Sequence, residues 1–170
     1  AAASFPPSYS YVRDFISDLG VPSHSPLAWL MNTGFCVQGM LFLVGAVAIR
    51  KRSLTALTAV NLFGNLTIAF FHSGSATHAV GAVLAIIGGN AAILAGSSII
   101  GGWHRAVSVG LGVLGLLSFA LFAAELQSGT GHLGLLERCS VYPITAWQLL
   151  TAAWLFSRRP TSWPGRARRA

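Results

Sequence analysis

The chain has 170 residues, of which 54% are hydrophobic and only 9% are charged, and its formal net charge is +7. An ordinary soluble domain carries about 25% charged residues, so this composition excludes a typical soluble enzyme. The basic residues stand at the ends of apolar runs instead of gathering on one polar face, which argues against a nucleic-acid partner.

The first 27 residues are predicted to form an interfacial segment on the extracytoplasmic side. Residues 9–20 mix aromatic and aliphatic side chains with charge, a pattern typical of a segment that lies at the lipid headgroups. Gly20, Pro22 and Pro26 would then turn the chain into the membrane.

Five apolar runs follow, each bounded by charged or turn-forming residues. A spanning helix needs roughly 20 mostly apolar residues, and every run approaches that length. The predicted fold is therefore all-α, a polytopic transmembrane helix bundle over residues 28–157 with a basic cytoplasmic tail over 158–170. The predicted spans are 28–49, 54–72, 78–100, 106–124 and 139–157.

The distribution of charge predicts the orientation of the bundle. If the helices alternate in direction, the basic loops at 50–52 and 101–105 share one side with the tail, and that side collects nine of the eleven basic residues. Positively charged loops usually stay in the cytoplasm, so we predict a multi-pass cell-membrane protein with its N-terminal segment outside. The predicted outer side holds Asp14, Asp18, Glu125, Glu137, His24, His72, His78 and His132.

Small residues recur along the third span at the spacing of one helix face. Helices in lipid associate through close backbone approach and polar contacts, so another helix is predicted to lie against this face. The two adjoining stripes are Gly81, Ala85 and Gly89, and Gly88, Ala92 and Gly96.

The second span carries a polar stripe. Thr58, Asn61, Asn65 and His72 are spaced so that they share one side of a helix. Polar groups that face hydrocarbon are costly, so the stripe is predicted to face the bundle interior, where hydrogen bonds between helices are the favoured role of the asparagines.

Titratable residues at the outer side form a candidate site. His72 and His78 stand at the facing ends of neighbouring spans, with Asp18 as the nearest predicted partner, and Glu137 and Arg138 are adjacent before the last span. Such groups can bind a metal, transfer protons or make a pH-sensitive contact. Because no recognised metal or nucleophile motif is present, we predict no metal or cofactor and favour contact with lipid headgroups or a partner.

These pieces together resemble the bacterial integral-membrane family known as domain of unknown function 998. The resemblance extends over nearly the whole chain and implies a membrane bundle, with Asp18, His78, Glu137 and Arg138 as candidate site residues. The matching pieces are residues 16–20, Asn32, Gly39, residues 78–82, Gly89, Asn90, Gly96, residues 134–138, Tyr142 and Trp147. The Ser-Asp-Gly piece is also distantly similar to the Frag1, DRAM and Sfk1 membrane proteins, whose roles involve lipid remodelling, lipid distribution and autophagy.

The resemblance also bears on the number of spans. Family members usually have six, with one helix before the Ile-Ser-Asp-Leu-Gly piece, whereas this chain begins only 15 residues before it. The expectation is therefore an absent upstream helix, with a removed signal peptide as the alternative.

Three functions stay open from the sequence. We favour a non-catalytic protein that handles lipid or acts as an accessory subunit of a membrane complex, with lipids, another membrane protein or a second copy as partner. The alternative is an intramembrane lipid hydrolase or acyl-transfer enzyme that uses Asp18, His72 and His78. A small transporter or channel is the third possibility. Transporters usually carry charged side chains near the middle of the membrane, and no charged side chain falls in the middle of any predicted span here, which ranks this function last.

Overall fold

The computed structural model describes residues 1–6, 8–129 and 131–157, and the predicted basic tail lies outside this part of the chain. Five α-helices make up most of it, and no strand occurs in the described residues. A short 3₁₀ helix, Ser17–Gly20, precedes them. The helices are α1 Ala28–Ile49, α2 Arg52–Phe70, α3 Ala76–Gly96, α4 Trp103–Ser128 and α5 Leu133–Ser157.

The predicted all-α membrane fold is confirmed. By length and composition, α1 to α4 are apolar enough to cross a membrane. The fifth predicted span, 139–157, lies within α5, which is helical but is not among these four candidates, and α5 starts six residues earlier because the Gly134–Arg138 piece is helical. The third helix ends at Gly96, four residues short of the predicted boundary, where a turn begins.

The short connections reverse the chain direction, so the bundle has two chemically different ends. We call the end with residues 1–27 and the connections 71–75 and 129–132 the acidic end, and the end with the connections 50–51 and 97–102 the basic end. The Lys51 ammonium donates hydrogen bonds to the Ala95 carbonyl at 2.6 Å and to the Ser98 hydroxyl at 2.5 Å. One cation of the basic end therefore caps the C-terminus of α3.

Glycines bring α3 into close contact with two helices. A Cβ added at Gly64 of α2 would lie 2.8 Å from the Cα of Ala85, and one added at Gly81 would lie 2.8 Å from the Cβ of Thr67. On the other side of α3, a Cβ at Gly96 would lie 2.6 Å from the Trp147 ring of α5. The predicted small-residue face is thus shared between α2 and α5, and Gly89 reaches both through Asn61 and Ile144.

The remaining helices complete the bundle around this centre. Helix α1 packs against α2, and α4 packs against α3 and α5. The rings of Phe42 and Trp147 approach to 5.9 Å between centroids and join α1 to α5 in the core. The buried hydrophobic core lies toward the basic end and consists of Phe42, Ala46, Leu54, Ala92, Ile93, Ile144 and Trp147.

The polar stripe of α2 faces the bundle interior and links three helices. Asn61 donates to the Ala85 carbonyl of α3 at 2.7 Å, and Asn65 donates to the Gln38 side-chain oxygen of α1 at 3.0 Å. Asn65 also donates to the Asn61 side-chain oxygen at 3.2 Å, so the two amides form one network. His72, the fourth residue of the predicted stripe, is exposed beyond the end of α2.

Candidate functional site

Residues 9–20 form a strap that lies against the start of α5 at the acidic end. Ile16 and Leu19 of the strap are buried, and the Leu135 amide donates to the Val12 carbonyl at 3.0 Å. A Cβ at Gly134 would lie 2.9 Å from the backbone carbon of Arg13, so only glycine lets the strap approach this closely. The predicted interfacial segment is in this structure a packed part of the protein.

The Arg138 guanidinium holds the strap in place and is only 5% exposed. It donates to the Asp14 carbonyl at 2.9 Å and to the Gly134 carbonyl at 2.6 Å, and it also contacts the Tyr9 hydroxyl. Its central carbon lies 5.1 Å from the ring centroids of both Tyr9 and Tyr11. Carbonyl oxygens and aromatic faces thus compensate a buried charge that would otherwise be costly.

The Glu137 carboxyl binds the strap backbone next to Arg138. It accepts a hydrogen bond from the Ile16 amide at 2.5 Å and a second from the Ser17 amide. Glu137 precedes the predicted fifth span and keeps part of its surface accessible. Dense protein around the carboxyl raises its pKa to about 7, although the backbone hydrogen bonds and the Arg138 charge oppose that shift. Burial likewise raises the pKa of Tyr9 to about 12, so this phenol stays protonated.

The two aspartates of the strap serve its internal turns. The Asp14 carboxylate accepts from the Ser10 amide at 2.6 Å, and the Asp18 carboxylate accepts from the Phe15 amide at 3.1 Å. Asp and Asn side chains commonly stabilise turns in this way. These contacts give Asp18 a structural role in shaping the strap.

The structure separates the other predicted site residues. His78 is buried at the start of α3, where its Nδ1 lies 2.7 Å from the Phe71 carbonyl, whereas His72 is exposed. Within the described parts of the chain, no three His, Cys, Asp or Glu side chains are grouped closely enough to hold a metal ion. Of the predicted set, Glu137, Arg138 and Asp18 meet through the strap, and His78 lines the same two cavities as Glu137.

Cavities open along one flank of the bundle. The upper cavity, about 210 Å³, lies between the acidic-end halves of α1 and α5, is also lined by residues of α2 and α3, and reaches Ser17 of the strap. The lower cavity, about 590 Å³, follows between the basic-end halves of the same two helices. A side cavity of about 440 Å³ lies between α3 and α4, and Ser17, His78 and Glu137 line both it and the upper cavity.

A second polar cluster, which the sequence analysis missed, lies inside the bundle near the basic end. Trp147 of α5 donates to the Ser108 hydroxyl at 2.7 Å, and that hydroxyl donates to the His104 carbonyl at 2.7 Å. The His104 ring lies 3.2 Å from the Thr151 hydroxyl. Both His104 and Ser108 are fully buried, so no substrate reaches this histidine and serine, and the cluster joins α4 to α5.

The sequence spacing of these four residues could have predicted the cluster. Residues 104 and 108, like residues 147 and 151, are four apart and therefore share a helix face. The sequence analysis placed His104 in the basic loop at 101–105, between the third and fourth predicted spans, whereas the structure places it in the first turn of α4.

Comparison with known proteins finds one family. Residues 1–154 match the family described as protein of unknown function, DUF998. No curated protein and no solved structure matches the chain, so the similarity to Frag1, DRAM and Sfk1 proteins stays a prediction.

Proposed function

Because this chain belongs to the DUF998 family of proteins of unknown function, we propose a function from its own geometry: it binds membrane lipid in the flank between α1 and α5 and performs no catalysis on it. The observation that carries the proposal is the succession of the upper and lower cavities along these two helices. Cavities that succeed one another along two apolar helices have the direction and the chemistry of a lipid acyl chain.

The chemistry of the cavity walls supports lipid over a water-soluble ligand. Most lining side chains of the lower cavity are aliphatic or aromatic, including Leu41, Phe42 and Leu155. Polar groups such as Glu137 and His78 gather at the acidic end of the upper cavity. An amphiphile would therefore lie with its head toward the strap and its chain toward the basic end.

The excess of basic residues at the opposite end suggests the orientation of this site. The basic end would lie at the cytoplasmic surface and the strap at the outer surface of the cell membrane. The head of the bound lipid would then lie in the outer leaflet, beneath the strap.

The alternatives have less support. The carboxylate of Asp18 and the Nδ1 of His78 are engaged by backbone groups, and His72 is exposed whereas His78 is buried, which weakens the case for a metal-dependent or acid-base enzyme. The accessory-subunit alternative has one favourable observation, since α1 packs mainly on α2 and exposes apolar residues such as Met40 and Val44 elsewhere. A pore formed by several copies has no such observation.

Native mass spectrometry of the purified full chain tests the proposal. The wild-type protein is expected to retain lipid, and Gly34→Phe is expected to reduce that retention about tenfold, because Gly34 lines the upper cavity and a side chain there meets no neighbour. Gly110→Phe is the matched control, since Gly110 is exposed on α4 and also has open space around it.

Two outcomes would contradict lipid binding in this flank. One is a wild-type protein free of lipid, and the other is equal retention by Gly34→Phe and Gly110→Phe, which would place the lipid elsewhere on the bundle. A stoichiometric protein that co-purifies in the absence of lipid would instead support the accessory-subunit alternative.

A further inference from the structure

Buried side-chain amides in the α1/α5 flank have hydrogen-bond donors that no described group satisfies. The side-chain nitrogen of Gln38 is one, and the side-chain nitrogen of Gln148 is the other. The Gln38 oxygen accepts from Asn65 at 3.0 Å, which fixes the amide at the wall of the upper cavity. A buried donor without an acceptor costs about 1–3 kcal/mol, so an acceptor on a bound ligand would be favoured beside Gln38.

The rim of the same cavity offers the opposite kind of group. A carbonyl can only accept, so the His78 Nδ1 carries the proton in its contact with Phe71, and Nε2 of the neutral ring is an acceptor. Glu137 also lines the rim, and its carboxyl has acceptor capacity beyond the two strap amides that it binds. These acceptors favour a ligand head that supplies hydrogen-bond donors.

Charge then restricts the ligand further. No lysine or arginine is among the described residues that line the upper cavity. The nearby Arg138 does not line it and donates through Nη1 to the Asp14 and Gly134 carbonyls, although its buried Nε has no hydrogen-bond partner. A phosphate here would place a negative charge beside Glu137 without a cation in the cavity wall to compensate it. The site therefore disfavours phospholipid heads and free fatty acids alike.

We propose that the upper cavity binds the head of an uncharged acyl lipid that carries free hydroxyl groups and an ester, the chemistry of a monoacylglycerol or diacylglycerol. Its hydroxyls donate to Glu137 and His78, its ester carbonyl accepts from Gln38, and its acyl chain follows α1 and α5 toward the lower cavity. This assignment rests on the proposed lipid-binding function and specifies the class of lipid.

Three probes that share one oleoyl chain separate the headgroup classes. The full chain in dodecyl maltoside is titrated with monooleoylglycerol, oleate or oleoyl lysophosphatidic acid, and one-to-one adducts are measured by native mass spectrometry. Monooleoylglycerol is expected to reach half-saturation at a concentration about tenfold lower than either anion does. Half-saturation by an anionic probe at an equal or lower concentration overturns the assignment.

The role of Gln38 is tested on the protein and on the ligand. Gln38→Met keeps the length of the side chain and removes its donor, and it is expected to weaken monooleoylglycerol binding about three- to tenfold. Gln127→Met, at an exposed glutamine of α4 that lines none of the three cavities, is the matched control and is expected to bind as the wild type does.

An ether analogue provides the same test without dependence on a variant that folds poorly. Oleyl glyceryl ether lacks the carbonyl, so the wild type is expected to bind it as weakly as Gln38→Met binds the ester, and Gln38→Met is expected to bind ether and ester equally. Equal binding of ester and ether by the wild type overturns the contact with Gln38. Adducts with phospholipid alone overturn only the headgroup assignment, whereas the absence of every lipid adduct overturns the proposed function as well.

Discussion

Two contacts in this bundle are built in opposite ways. One is the interface between α2 and α3, and the other is the flank between α1 and α5. At the interface between α2 and α3, Gly64 and Gly81 let the two backbones approach, and the Asn61 side chain donates a hydrogen bond to a carbonyl of α3. At the second, the rings of Phe42 and Trp147 form the contact, and cavities lie on both sides of it along the helices.

The difference shows where this bundle can accept a ligand. Lipid is as apolar as leucine, so helices in a membrane gain little from apolar contact alone and need close packing or polar links. The interface of α2 with α3 has both. The flank between α1 and α5 has larger side chains and the unpaired amides of Gln38 and Gln148, so on either side of the Phe42–Trp147 contact it can admit lipid.

The largest expected loss of stability comes from disrupting the close packing of α2 on α3. Gly64→Leu would push a side chain into the backbone of Ala85, and overpacking of this kind costs about 3 kcal/mol or more. We expect a large drop in melting temperature in detergent and loss of the monodisperse peak in size-exclusion chromatography. Gly110→Leu, at an exposed position with open space, is expected to behave as the wild type. Equal stability of the two variants would contradict the close packing of α2 on α3.

The next effect concerns the strap. Arg138→Met removes the hydrogen bonds to the Asp14 and Gly134 carbonyls, each worth about 1.5–3 kcal/mol when the donor is charged. Hydrogen exchange of residues 9–20 is expected to accelerate tenfold or more, while exchange in α2 and α3 stays slow. Arg105→Met, at an exposed arginine in the first turn of α4, serves as the control. Unchanged protection of the strap would show that Arg138 does not hold it.

Glu137 makes the stability of the acidic end depend on pH. Its pKa in the folded chain is about 7, above the ordinary value of 4.5, so between these values the folded state holds a proton that the unfolded state releases. Stability is therefore greatest at low pH and is lost as the pH rises through 7. The melting temperature in detergent is expected to rise from pH 8 to pH 5, and Glu137→Gln is expected to flatten that rise.

Other titratable groups face the same region and require a control. Arg138 and Asp18 influence the Glu137 carboxyl, and His78 lines the same cavities. Arg105→Met, at an exposed arginine of the basic end, is expected to keep the pH dependence of the wild type. A steep dependence that persists in Glu137→Gln would show that another group causes it.

The sequence predicted the helices better than it predicted the site. Apolar runs determine where a membrane helix can lie, and the predicted bounds of α1 match the structure. The start of α5 was placed too late because Glu137 and Arg138 carry charge, which normally marks the end of a span. In the structure the helix includes both, since strap amides bind Glu137 while carbonyls and tyrosine rings compensate Arg138.

The partners of the site residues could not be predicted for a physical reason. The adjacent acid and base at 137 and 138 were identified as candidates, but their main partners are backbone groups of the strap. Every residue has a backbone carbonyl, so the sequence pattern does not indicate which one a distant side chain will bind. The cavities could not be predicted from the sequence either, because they depend on how far apart α1 and α5 lie.

The smallest expected change in stability distinguishes hydrogen bonds within a helix from hydrogen bonds between helices. Asn61→Leu and Asn65→Leu each remove a bond to a neighbouring helix and are expected to cost about 0.6–2 kcal/mol, whereas Thr58→Val removes a hydroxyl bonded within α2 and is expected to cost less. Because Asn65 donates to Asn61, the double substitution is expected to cost less than the sum of the single ones. Unfolding in denaturant measures all four variants, and strict additivity would show that the two amides act independently.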